Sequence, residues 1–471
     1  MSELHDLTAL EQSAAIRGGE TSSTELVEHY LARIDSRSES IGAFVTVTAA
    51  AARERARAMD EAGRDGAGSP LAGVPIGIKD LNFTAGVRTT LGSRIYADFV
   101  PPFDDNVVTL LRQAGTISLG KTNTPEFGLP CYTENGVAPP ARTPWDLSRS
   151  AGGSSGGAGA AVAAGLIPVA QGSDGGGSIR IPASVCGLVG LKCARGRVSS
   201  GPLGVEATGL SGSGPIGRSV ADVAALLDAM AVPMPGDPHW APPLPAGQTF
   251  LGETGREVGA LRIGRHITPP VRDAEIAPEV RAAWEDASAL LASLGHQVDD
   301  VPAPFGPDLL PMFEVLWAVA ACSAPVEPSQ EAELAPLTRW MRERGRRLSA
   351  NDFTTALGGV QAATRQAIAD TAAYDAILTP TLAQLPAPIG WFTDGVEPAE
   401  NFDRQKRFTP FTALYNVSGQ PAISLPLYWT EPGLPVGIML AGRPADEATL
   451  LALGAQLEAT RPWRDRHPAI W

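Results

Sequence analysis

The chain has 471 residues, 44% hydrophobic and 19% charged, which supplies a core and excludes a disordered polymer. Its formal charge of −14 disfavours phosphate backbones and anionic bilayers, so neither nucleic acid nor a membrane is expected as a partner. The four cysteines, Cys131, Cys186, Cys193 and Cys322, form no CxxC pair, which argues against zinc and suits a reducing cytoplasm.

In chain order, the first 60 residues read as helical, with Thr21 to Thr24 capping a segment that carries Leu26, Val27, Tyr30, Leu31 and Ile34 at helical spacing. A turn-rich break follows at 63–70. Val74, Ile76 and Ile78 alternate as in a short strand that ends at Lys79. A helix is expected over 106–114, a strand over 116–119, a small-residue helix over 158–164 and a strand over 166–170. Ser219 caps a helix over 219–230. After a Pro-rich excursion at 232–250, a strand at 261–264 leads into a helical stretch. Strands at 376–378, 422–425 and 436–440 precede a closing helix at 446–458. Alternating strands and helices define an α/β fold with a mixed sheet. No linker divides 1–471, so one domain is expected, with a core at about 70–230 and a helical excursion at about 265–372. The uncharged runs 150–173 and 408–430 are broken by Gly, Pro and polar residues, which excludes them as membrane spans; the start lacks the pattern of a secretory signal.

The chemistry concentrates in two Gly/Ser clusters. Gly152-Gly153-Ser154-Ser155-Gly156-Gly157 and Ser173-Asp174-Gly175-Gly176-Gly177-Ser178 are separated by a helix and a strand. Glycine permits close backbone approach, and successive N–H groups of Gly175 to Gly177 can converge on an anion, with Ser178 at the edge as nucleophile. Three other matches are weaker. The G-x-S-x-G of 152–156 lacks the strand that a nucleophile elbow needs, and the glycines at 212, 214 and 217 include Pro215. Gly115 to Thr122 spells a P-loop, but a helix precedes it and a strand occupies its middle.

A serine nucleophile needs a base. None of the six histidines lies between Val74 and Gly217, and lysine occurs only at 79, 121, 192 and 406 in an otherwise arginine-based chain. Lys79 ends an apolar strand, where burial can make its amine neutral near pH 8.

Gly73-Val74-Pro75-Ile76-Gly77-Ile78-Lys79-Asp80 and the two Gly/Ser clusters closely resemble the amidase signature family. Similarity continues at 120–127, 187–192, 214–222, 416–422 and 433–437, and spans about residues 20–465. The resemblance implies a central mixed sheet with helices on both faces, and a Ser–cis-Ser–Lys triad. Ser178 matches the nucleophile, Ser154 the bridging serine after a cis peptide bond, and Lys79 the base. The N–H groups of Gly175, Gly176, Gly177 and Ser178 match the oxyanion hole. No metal or cofactor is implied. Asp174 and Arg180 read as an ion pair that supports the loop; Lys121 and Lys192 read as framework.

Gly175 departs from the branched residue or threonine frequent in the family, which leaves the loop looser or the pocket wider. Gly201-Pro202-Leu203-Gly204-Val205 departs from the run expected of a tRNA-dependent amidotransferase subunit. Pocket candidates are Phe83, Phe127, Leu129, Cys131, Tyr132, Trp317 and Tyr415; Cys322 lies in an apolar run that argues against catalysis. The implied function is a cytoplasmic amidase for small neutral or aryl amides, with carbamates, esters and oligoamides as further candidates and a homodimer as a candidate assembly. The alternative is the glutamine-hydrolysing subunit of an aminoacyl-tRNA amidotransferase.

Overall fold

The computed structural model describes residues 3–63, 69–204 and 207–471. Residues 64–68 of the expected break, and Val205, lie outside the described residues. The strands are β1 (Phe44–Val47), β2 (Pro75–Lys79), β3 (Ile117–Thr122), β4 (Val169–Asp174), β5 (Val189–Lys192), β6 (Gly212–Gly217), β7 (Arg262–Arg265), β8 (Gln297–Asp300), β9 (Ala376–Pro380), β10 (Ala422–Trp429) and β11 (Pro435–Gly442). They form one 11-stranded sheet in the order β1-β3-β2-β4-β6-β5-β10-β11-β9-β7-β8. The ladders β3–β2–β4 and β9–β7–β8 are parallel; the other pairs are antiparallel.

Side-chain alternation explains why both faces are covered. Ile76, Ile78, Val169, Leu191, Ile423 and Ile438 enter one core, roofed by helices Val220–Met230, Pro278–Ser293 and Glu447–Thr460. Their neighbours turn the other way. Ala170 and Ile216 pack with helices Ser23–Ile41, Gly156–Ala163 and Arg180–Cys186. Met439 and Ala441 pack with helices Leu309–Ala321 and Ala350–Thr371 of the helical excursion.

Several boundaries differ from the sequence reading. β1 interrupts the helical first 60 residues, and β8 interrupts the helical stretch. The strand expected at 166–170 is β4: Pro168 has no N–H for a ladder, and pairing starts at Val169, opposite Ile76 and Gly217. The P-loop-like letters are largely strand β3. The 212–217 glycines are strand β6, where glycine allows close approach to the neighbouring strand β5: a Cβ on Gly214 would stand 2.5 Å from the Leu191 carbonyl oxygen. Among the described residues, no helix is long and apolar enough to cross a membrane.

Candidate active site

Parallel pairing brings the C-terminal ends of β2 and β4 side by side, with Ile76 opposite Val169 and Gly77 opposite Ala170. Lys79 therefore ends its strand beside Ser173. Its backbone N–H donates to Gln171 Oε1 at 3.0 Å. Its side chain is fully buried, and Nζ donates to Ser154 Oγ at 2.8 Å and to Ser173 Oγ at 2.9 Å. Ser154 lies just before helix Gly156–Ala163, after a cis Gly153–Ser154 peptide bond. Gly153 lies so close to Tyr132 that a Cβ there would meet backbone atoms at 2.7 Å.

The loop from β4 to helix Arg180–Cys186 carries Ser178. Ser155 ties both glycine-rich segments together: its N–H donates to the Ser178 carbonyl at 3.1 Å and its hydroxyl to the Ser173 carbonyl at 3.2 Å. From the opposite side, Thr412 Oγ1 donates to the Gly176 carbonyl at 2.6 Å. Gly177 has φ 134°, a conformation that favours glycine, and a Cβ would collide with Thr412 Oγ1.

Asp174 organises the loop from inside. Its carboxylate accepts from the N–H of Gly177 at 2.7 Å, from Ile179 N–H at 3.2 Å and from Asn416 Nδ2 at 2.9 Å. Arg180 grips it through two nitrogens, at 3.0 and 2.9 Å, and neither side chain is exposed. This corrects one expectation: the Gly177 N–H is committed to Asp174. The N–H groups of Gly175, Gly176 and Ser178 have no protein acceptor among the described residues.

Burial lowers the Lys79 amine from 10.5 to about 7, against the opposing charge of Asp174. A neutral amine is therefore well populated near neutral pH. Burial alone would raise Asp174, but the charge and hydrogen bonds of Arg180, with Lys192 and Asn416, hold it below the usual carboxylate range. The pair is internal, so breaking it strands a charge. Arg180→Met is expected to cost about 3–5 kcal/mol, read as a lower denaturation midpoint in urea. An unchanged midpoint would show that the pair is dispensable.

Ser178 faces a solvent-open, largely apolar cleft. Leu129, Cys131, Phe313, Trp317, Phe402 and Leu414 contribute apolar wall; Gln405, Lys406 and Thr409 contribute polar wall. Of the sequence candidates, Leu129, Cys131 and Trp317 line it. The other four do not. Phe83 packs on Phe99 and Phe103, with ring centroids 5.4 and 5.6 Å away. Phe127 packs edge-on against Tyr96. Tyr132 stacks on Phe392 at 4.7 Å and accepts a hydrogen bond from Asn401, on the side of a separate cleft. Tyr415 is buried in the core with Met439. Cys322 sits outside the cleft, its thiol donating to the Arg342 carbonyl at 3.5 Å. Phe402, Gln405, Lys406 and Thr409 escape the sequence reading, although their spacing marks one face of helix Pro398–Phe408 and its end.

A buried amine, two serines and free backbone donors at the floor of an apolar cleft can perform acyl transfer. The family model named Amidase matches residues 25–451. The chain is 36% identical over 495 residues to a 6-aminohexanoate-cyclic-dimer hydrolase of Pseudomonas sp. (strain NK87), covering 99% of this chain and 96% of that one. It is 37% identical over 505 residues to a glutamyl-tRNA(Gln) amidotransferase subunit of Chloroflexus aggregans (strain MD-66 / DSM 9485), covering 100% and 99%. A solved structure of 6-aminohexanoate cyclic dimer hydrolase superposes with TM-score 0.91 at 34% identity, covering 100% of both chains. The chain belongs to the amidase signature family. It is an amidase, a hydrolase of carbon–nitrogen bonds.

Proposed function

We propose that this amidase hydrolyses small neutral amides with apolar or aryl acyl groups, through Lys79, Ser154 and Ser178. The observation that carries the reading is the buried 2.8 Å contact between Lys79 Nζ and Ser154 Oγ beside Ser178, which faces the apolar cleft. Neutral Lys79 takes a proton from Ser154, which takes one from Ser178 as its Oγ attacks the amide carbonyl. The N–H groups of Gly175, Gly176 and Ser178 hold the oxyanion, each worth on the order of 3 kcal/mol. Collapse breaks the C–N bond, and the relay returns the proton to the leaving nitrogen. Water then attacks the ester by the same relay, giving the acid and freeing Ser178. Lysine supplies the base and the loop amides the electrophilic help, so the scheme needs no metal or cofactor. In this reading the enzyme works in the cytoplasm.

Similarity to the cyclic-dimer hydrolase supports neutral oligoamides as one substrate group; aryl amides, carbamates and esters fit the same cleft. Similarity to the amidotransferase subunit favours glutamine as a second reading. The cleft argues against it. Among the described residues no arginine lines it, and Lys406 is held by Glu314 and Asp403, each at 2.7 Å, leaving no unpaired cation for an amino-acid carboxylate. The test is hydrolysis at about pH 8 of an acyl anilide, a primary aryl amide, an aryl carbamate, a nitrophenyl ester, a cyclic oligoamide and glutamine. The reading expects turnover of neutral amides. Turnover of glutamine alone would replace it with the second reading.

A further inference from the structure

We infer that Trp317 is the specificity-determining residue of this cleft: its indole lies along the backbone of Gly175 and Gly176 beside Ser178 and restricts the site to flat or unbranched acyl groups. The inference rests on the proposed Ser178 chemistry and extends it to the choice of substrate.

Glycine at position 175, taken alone, predicts an emptier pocket beside the nucleophile loop. The structure shows otherwise. A Cβ on Gly175 would meet Ser211 Oγ at 2.6 Å and would stand 3.3 Å from Cη2 and Cζ3 of the Trp317 indole, both tighter than an ordinary contact. A Cβ on Gly176 would stand 3.7 Å from the same ring and 3.7 Å from Phe313 Cζ. The indole edge therefore lies against the backbone of Gly175 and Gly176, two of the three residues whose N–H groups are left for the oxyanion. Gly175 is confined by both Ser211 and the Trp317 indole.

Phe313 and Trp317 are one helical turn apart on helix Leu309–Ala321 and stack at 5.4 Å with rings 21° apart. Together they give the cleft one broad flat wall. Trp317 is braced by its neighbours, because it packs against both the core of the helical excursion and the small cluster of Leu129, Leu337, Met341 and Phe402. A braced ring cannot swing away without opening two packed clusters. An aryl or straight-chain acyl group can lie along this wall; branching next to the reacting carbonyl would drive into it.

The experiment measures kcat/KM for anilides of acetic, hexanoic, benzoic and pivalic acid, each normalised to active sites counted by the nitrophenol burst from nitrophenyl acetate. In Trp317→Ala the pivaloyl-to-hexanoyl ratio is expected to rise at least about tenfold, mainly through KM. Trp317→Phe, which keeps a flat wall, is expected to shift it far less. A ratio within about threefold of wild type in Trp317→Ala overturns the inference and leaves the Ser178 chemistry standing. Turnover that survives Ser178→Ala overturns that chemistry instead.

Discussion

Ser178→Ala is expected to lower the turnover of an acyl anilide by about 10⁴-fold or more while leaving the fold intact. Among the described residues, Ser178 is the one serine that lines the cleft, and it follows the loop whose Gly175 and Gly176 N–H groups are free. The substitution also spares the architecture. The Ser178 contact that ties the two glycine-rich segments together is its backbone carbonyl, which accepts from Ser155 N–H at 3.1 Å and is retained by alanine. Asp174 holds the loop through Gly177, Ile179 and Arg180, none of which changes. Activity should therefore fall without a matching fall in the urea midpoint. A variant that unfolds early, or one that keeps a tenth of its activity, would each contradict the assignment.

Lys79→Met is the second large effect. Methionine keeps most of the volume but cannot accept a proton, so the expected loss is about 10²–10⁴-fold, the size of a general-base contribution. Stability should move the other way. The folded-state value of Lys79 lies at about 7, below its ordinary 10.5. Between these two values the unfolded chain binds the extra proton, so wild-type stability from this group rises with pH across that window. At and below about pH 7 both states are protonated and the cost of burying the ammonium is present in full. The stability of Lys79→Met relative to wild type should therefore be highest at and below pH 7 and decline toward pH 10. Paired urea titrations at several pH values check this. A difference that does not change with pH would show that the amine is not buried as described.

Much of this site is legible in the sequence, and the reason is local. Lys79 is readable because an alternating apolar strand places it at a strand end, and the two serines because glycine concentrates around them. What tertiary packing decides is less legible. Phe83 and Tyr415 look no different in sequence from Trp317, yet the first joins a cluster with Phe99 and Phe103 and the second is sealed in the core. No spacing rule separates an aromatic that faces a cleft from one that faces its neighbours. The engagement of the Gly177 N–H is hidden for a different reason. It depends on Asp174 folding its carboxylate back into its own loop, which in turn depends on Arg180 and on Asn416, more than 200 residues away. β5 and β6 are unreadable because glycine and Pro215 carry no strand signal; glycine there allows close approach of the two strands, with Gly214 against the Leu191 carbonyl.

The central claim is that a lysine amine, neutral near physiological pH, draws the proton from Ser178 through Ser154. It is tested most directly by the rate of the nitrophenol burst from a nitrophenyl ester, measured from about pH 5.5 to about pH 9.5 in wild type and Lys79→Met. The account predicts a wild-type burst that speeds up with pH, with a midpoint near 7, and a slow, pH-flat burst in the variant. A wild-type burst that is flat through neutrality, or a Lys79→Met burst as fast as wild type with the same midpoint, would contradict it.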